Sequence, residues 1–401
     1  MEMREVASSA GSMVETLRPG ASTGAVLRSV LGAGSARAPS VKAERVAIDG
    51  EPDWPAVCAV AHRVRIAPIV YQCLRSAAMP VPADVMDWFR VQYYDTVARN
   101  LISLNTLRSV LDVLGGAGIS AIVFKGPALA ELGHEMARSW NDLDILVGST
   151  AFPRAESVLL QAGYQRLPDA SHPNHRRYGA GSTVRPSVLE VHFDISDPLR
   201  AYRPDLAAIS VRASEGTALG VPARVPELVD HLLLTIMQLP HHHWSVRVLL
   251  DIRQVIARHG QVLDWTEFFD RAESWGMLAL ARSALSVLST DFGVPLPPFV
   301  AARARPAGYY DRLRREIAIQ AIEEQLEHPF RPRVMWLAPF IVSDRPSHVP
   351  RILLRRLLAG DEMTEDGRVG RAVRRNMKTL VALPAVVRAV FASVPDSQGQ
   401  G

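Results

Sequence analysis

The sequence predicts an α+β protein, a small α/β unit flanked by N- and C-terminal helical regions. Three observations predict it. Apolar residues follow a 3.6 period from Trp54 to about Leu114. Between residues 119 and 195 that period gives way to short β-branched runs and to polar/apolar alternation. From Pro226 onward the helical period returns.

The boundaries follow from these changes. Residues 1–50 are rich in Ala, Ser and Gly and read as a poorly ordered segment, with a short helix between Leu17 and Leu31. Residues 51–117 form the first helical region: Trp54, Val57, Val60, Ala61, Val64 and Ala67 share one stripe, and Val85 to Leu114 continues until Gly115-Gly116. Residues 118–225 hold the α/β unit. Ile119 to Phe124 reads as a strand, and Lys125-Gly126-Pro127 as a turn opening a helix to about Glu135. Leu143 to Val147 is a strand, Phe152 to Ala162 a helix closed by Gly163, His172 to Ser182 a polar loop, and Val188 to Ile195 a third strand. Residues 226–330 are helical, with Leu228, Leu232, Thr235, Ile236 and Leu239 on one stripe; residues 331–401 form an Arg/Pro-rich extension. A weak internal echo joins the two helical regions. Asp53-Trp54 is followed by Ala61 and Ile66, and Asp264-Trp265 by Ala272 and Met277 at the same offsets.

Composition narrows the class. The chain has 401 residues, 48% hydrophobic and 21% charged, with a net charge of +4. That charge is mild for the size and does not itself argue for nucleic acid. Cys58 and Cys73 are the two cysteines, too few for a disulfide framework, and a reducing cytoplasm is the simpler expectation. No apolar run reaches the length of a membrane-spanning helix, and the N-terminus lacks a secretory-leader pattern.

The chemistry concentrates in Asp142-Leu143-Asp144-Ile145-Leu146-Val147. In a strand, residues i and i+2 share a face, so Asp142 and Asp144 stand side by side while Leu143 and Ile145 turn into a core. Adjacent like charges are best tolerated around a cation. Two divalent ions about 3.5–4 Å apart would serve phosphoryl chemistry. A third carboxylate comes from Leu189-Glu190-Val191-His192-Phe193-Asp194, where Glu190, His192 and Asp194 share a face. Glu190 is the choice, with Asp194 as fallback. His192 suits orienting a carboxylate or contacting phosphate better than binding Mg²⁺. Lys125 and Gly126, at a strand-to-helix turn, can approach phosphates. Arg138 can bind phosphate or pair with the aspartates. Only Lys42, Lys125 and Lys378 are lysines, which singles out Lys125.

Together, Phe124-Lys125-Gly126, Arg138, Asp142 to Val147 and Glu190-Val191-His192 resemble the uncharacterised bacterial nucleotidyltransferase family of the DNA polymerase β-like superfamily. Trp54 to Leu74 resembles its N-terminal helical hairpin, and Leu249-Leu250-Asp251 with Leu263-Asp264-Trp265 its C-terminal helical part. The resemblance covers roughly residues 50–345. It implies a mixed-sheet catalytic unit, Mg²⁺ dependence and a nucleoside triphosphate, ATP among them, as substrate. Asp142, Asp144 and Glu190 would hold two Mg²⁺, and Lys125, Gly126, Arg138 and His192 would bind the nucleotide. The acceptor is a hydroxyl or phosphate of unidentified origin. The wider superfamily usually carries Gly-Gly or Gly-Ser at the phosphate turn; Lys125-Gly126-Pro127 stands there, without a serine hydroxyl.

Other readings stand beside these: an NTP-binding regulator or antitoxin-like protein without turnover, a tailoring enzyme of a biosynthetic cluster, and a nucleic-acid binder using the arginines from Arg351 to Arg375. His241-His242-His243 reads as a tract without metal, and His172 and His175 as loop histidines. Trp54, Trp265 and Trp275 read as packing residues. Asp251, on an apolar helix, can contact substrate or cap a neighbouring element.

Overall fold

Among the described residues, seven strands form one mixed sheet: β1 (Ala121–Val123), β2 (Asp142–Val147), β3 (Tyr164–Arg166), β4 (His175–Ala180), β5 (Val188–His192), β6 (Ser214–Ala218) and β7 (Val221–Val225). Their spatial order is β3-β4-β5-β2-β1-β7-β6. The computed structural model describes residues 23–24, 26–27, 52–76, 81–168, 174–180, 187–195, 202–242 and 244–327. Expectations for the rest of the N-terminal segment, for His172 and His243, and for the 331–401 extension lie outside the described residues.

The sheet splits chemically between its faces. Leu143, Ile145 and Val147 of β2, with Leu189 and Val191 of β5, are buried against α3 (Ala83–Gly116) and α5 (Phe152–Gln161). The opposite face buries Ile122, Phe124 and Leu146 in a second core made by the helical regions. That core includes α1 (Trp54–Arg63), α2 (Ala67–Ser76), α7 (Leu228–Ile236), α8 (Val246–His259), α9 (Trp265–Ser274) and α10 (Leu278–Asp291). The short α4 (Pro127–Leu132) and α6 (Leu206–Arg212) lie between strands, and α11 (Pro298–Ala304) and α12 (Tyr309–Glu327) follow α10. Trp54, Trp265 and Trp275 are buried in this core, as packing residues should be. Cys58 and Cys73 are free thiols.

The internal echo has a structural counterpart. Asp53 caps α1 by accepting from the Ala56 amide at 3.0 Å, and Asp264 caps α9 by accepting from Glu267 at 3.0 Å. Both helices end in the same Schellman turn. Ile66 N donates to Ala61 O, and Met277 N to Ala272 O, each at 2.8 Å. The left-handed residue of that turn is Gly276 in one copy and Arg65, with φ +62°, in the other.

The α/β unit departs from expectation at β4 and at the helix that opens at Pro127, and it adds a hairpin for which the sequence carries no expectation. The polar loop at 172–182 contains β4, whose alternation is masked by its basic residues. The hairpin β6–β7 turns through Leu219-Gly220, both with positive φ, a type I′ geometry without its usual Asn-Gly signature. The helix after Lys125-Gly126-Pro127 stops at Leu132 rather than near Glu135 and hands over to a 3₁₀ turn, Glu135–Ala137.

Two histidines are buried in the helical core. Burial pushes His134 down to about 4 and His231 down to about 3. Both lie below the free value near 6.5, so the folded chain keeps them neutral while the unfolded chain takes up protons below that pH. Their contribution is complete above about pH 6.5 and declines as pH falls toward the folded values. Between pH 7.5 and pH 5 each should cost on the order of 1–2 kcal/mol. Urea unfolding across that range checks this, and replacing both histidines with glutamine should flatten the profile.

Candidate active site

The parallel pairing of β2 with β5 sets Asp144 opposite Glu190 and Leu146 opposite His192. Paired residues share a face, so alternation brings Asp142, Asp144, Glu190 and His192 to the same side of the sheet. On the far side of β5, β4 pairs antiparallel and sets His175 opposite His192 and Arg177 opposite Glu190.

The charges on this face are unevenly balanced. Burial, then the neighbouring Asp144 and Glu190, push the Asp142 carboxyl up. Burial also opposes ionisation of Asp144, which is 4% exposed, but Lys125 and His192 hold it well below the usual carboxylate range. Lys125 Nζ donates to Asp144 Oδ1 at 2.7 Å, and His192 Nε2 lies 2.9 Å from the same oxygen. Burial works against the Lys125 ammonium, and Asp144 together with Glu190 and Asp142 overcomes it, raising its pKa. Glu190, likewise opposed by burial, is held below its ordinary value with help from His192 and His175. Its Oε1 is 3.3 Å from Arg177 Nε.

Backbone geometry aims the lysine. Gly126 has φ +47° and ψ −114°, and Ala128 N donates to Lys125 O at 3.1 Å. This is a type II′ turn, whose first central position favours glycine. A Cβ there would sit 3.5 Å from the Asp142 carbonyl oxygen, an ordinary contact. The conformation, not the space, therefore requires Gly126.

Arg138 is placed differently from the phosphate ligand expected of it. It is 3% exposed, and its Nε donates to both Asp251 oxygens, at 3.0 and 3.1 Å. Its Nη1 donates to the Gly126 carbonyl at 3.4 Å, and Asn100 holds its own carbonyl at 2.9 Å. Asp251 of α8 is thus a buried ion-pair partner that ties the C-terminal helices to the Lys125 turn. Asp194, the fallback ligand, lies beyond the end of β5.

Arg177 escaped the sequence reading, and so did two cations beside Asp142. Arg247 of α8 donates to the Ser139 carbonyl at 2.9 Å, and Arg65 stands at the α1–α2 corner. Both interact electrostatically with Asp142. Burial lowers both guanidinium pKa values, Arg247 to about 10. The signal that could have found Arg65 was the echo, which aligns it with Gly276.

Three carboxylates beside Lys125, Arg65 and Arg247 offer oxygen donors of the kind hard divalent cations prefer. The raised Asp142 carboxyl fits such an ion, because a cation would offset both the burial and the carboxylate repulsion that raise it. These donor types and cations are the ones that a divalent metal and a phosphate-bearing ligand would each require. The chain belongs to a family of uncharacterised nucleotidyltransferases, which it matches over residues 50–293.

Among solved structures, the chain is similar to the antibiotic-resistance factor ANT(2'')-Ia at 12% identity. The likeness covers 48% of this chain and 98% of that one, with a TM-score of 0.33. It is also similar to an antigenic nucleotidyltransferase-like protein from Paracoccidioides brasiliensis at 17% identity. That likeness covers 48% and 93% of the two chains, also with a TM-score of 0.33. No curated protein matches. No described helix is long and apolar enough to cross a membrane.

Asp251→Ala would leave the Arg138 guanidinium buried and unpaired. Its expected cost is about 3–5 kcal/mol in urea unfolding, much of it recovered by the double replacement Arg138→Met/Asp251→Leu.

Proposed function

We propose that this protein transfers a nucleoside monophosphate from an NTP to a hydroxyl or phosphate acceptor, releasing pyrophosphate. The observation that carries the reading is the convergence of Asp142, Asp144 and Glu190 on one sheet face, with Lys125 bonded to the central carboxylate. Asp142, Asp144 and Glu190 would hold two Mg²⁺. When bound, these ions would neutralise phosphate charge and favour the deprotonated acceptor hydroxyl. Lys125, aimed by the Gly126 turn, would exchange Asp144 for a phosphate oxygen. Arg65 and Arg247 extend the cationic wall beside Asp142 and suit the rest of the triphosphate. His192 holds the Asp144 carboxylate in place. Arg138 is a positioning residue, acting through the Gly126 carbonyl.

The direct test incubates each α-labelled NTP with protein, Mg²⁺ and source-cell lysate, and follows pyrophosphate and the labelled product. Asp142→Ala and Asp144→Asn should each lose about 100-fold or more of the turnover while circular dichroism is unchanged. Full activity in either variant refutes the assignment. NTP binding by the unaltered protein without pyrophosphate release would make it a regulator instead.

Arg65 gives a test of opposite sign for stability and function. A non-glycine residue in the left-handed region is strained by about 1–2 kcal/mol, partly offset by the chain entropy glycine adds. Arg65→Gly should therefore stabilise the fold by about 0.5 kcal/mol. The same change should raise the KM for NTP several-fold. A destabilised variant with an unchanged KM contradicts both halves.

A further inference from the structure

We propose that His175, Glu190 and His192 form a binding site for a transition-metal ion of the Zn²⁺ class, abutting the carboxylate site but distinct from it in donor chemistry. The sheet places these groups together. Opposed positions on β4 and β5 put both imidazoles on the face that carries Glu190. His192 Nε2 lies 3.6 Å and His175 Nε2 4.0 Å from Glu190 Oε2. One ligand atom from each residue falls within 4.8 Å of the others. The two imidazole rings are 4.8 Å apart between centroids. Donors around a tetrahedral Zn²⁺ at about 2.0–2.1 Å are separated by roughly 3.3–3.4 Å. Movements of under about 1 Å would therefore close the site around an ion.

Donor type decides which ion. Two imidazole nitrogens and one carboxylate oxygen suit Zn²⁺ and its neighbours, and leave a fourth position open to water or a phosphate oxygen. Mg²⁺ prefers an all-oxygen octahedron and binds imidazole poorly. Glu190 already divides its oxygens accordingly: Oε1 faces Arg177 at 3.3 Å while Oε2 faces the histidines. Burial helps too, since His192 is 6% exposed and Glu190 and His175 are about one-sixth exposed at the side chain.

Occupancy has a consequence that rests on the transfer reading, although binding itself does not. A Zn²⁺ ion there draws His192 Nε2 away from Asp144 and Glu190 Oε2 away from the Mg²⁺ pair. The two kinds of metal are therefore antagonists, and Zn²⁺ inhibits nucleotidyl transfer.

The test uses the full chain without a histidine tag. Equilibrium dialysis against Zn²⁺ with elemental analysis should find one equivalent bound with micromolar affinity. Asp142→Asn should retain it. His175→Gln should weaken it at least tenfold, and replacing His241, His242 and His243 with alanine should leave it unchanged. Absence of binding by the unaltered chain, equal binding by His175→Gln, or loss in the histidine-tract variant would each overturn the site. In the transfer assay, with each rate taken relative to the same protein without Zn²⁺, His175→Gln should resist Zn²⁺ at concentrations that inhibit the parent; equal fractional inhibition of both would overturn the antagonism. Should the chain prove inactive, the dialysis arm still decides the metal site.

Discussion

A buried carboxylate needs compensating charge, and Asp144 fixes where that charge must come from. Lys125 and His192 both reach its Oδ1. One sits just past the end of β1 and the other at the end of β5, so both strands must flank β2 for the contacts to form. The sheet order β5-β2-β1 satisfies that demand. The arrangement also explains the contrast between the two aspartates. Asp144 has the counter-charge and stays ionised, whereas at Asp142 burial and the neighbouring carboxylates outweigh the nearby cations, and the proton is held more firmly.

The helical regions take part in this balance. The Arg138–Asp251 pair joins α8 to the Gly126 carbonyl. Removing two charges from water is costly unless both are paired and hydrogen-bonded, and here the guanidinium has three acceptor contacts in two elements. Arg247 enters from the same helix and Arg65 from the N-terminal corner. The site is therefore lined by residues from both helical regions as well as from the sheet.

Much of the carboxylate face was legible because strands impose a period of two. Asp142 and Asp144, and Glu190 and His192, announce a shared face without knowledge of their neighbours. The pairing of β2 with β5 is a tertiary fact, but it obeys the same alternation. What escaped depended on distance or on unusual local chemistry. The partner of Arg138 lies 113 residues away. Strand β4 reads as a loop because His175, Arg176 and Arg177 supply no apolar alternation, its buried Tyr178 being the exception. The β6–β7 turn uses Leu219 where Asn is usual. Arg65 was visible only as a mismatch with Gly276 in a faint repeat, because a single sequence carries no record of backbone dihedral angles.

Lys125 is one of three lysines in the chain, and it is paired with Asp144 at 2.7 Å. Amine-directed reagents attack neutral amines, and the ion pair with Asp144 keeps this one protonated. Whatever draws Asp144 away weakens that hold and frees the nitrogen to react. Acylation at Lys125, read by peptide mapping, would thus act as a built-in reporter, registering how the neighbouring carboxylate is engaged without any probe being grafted onto the chain.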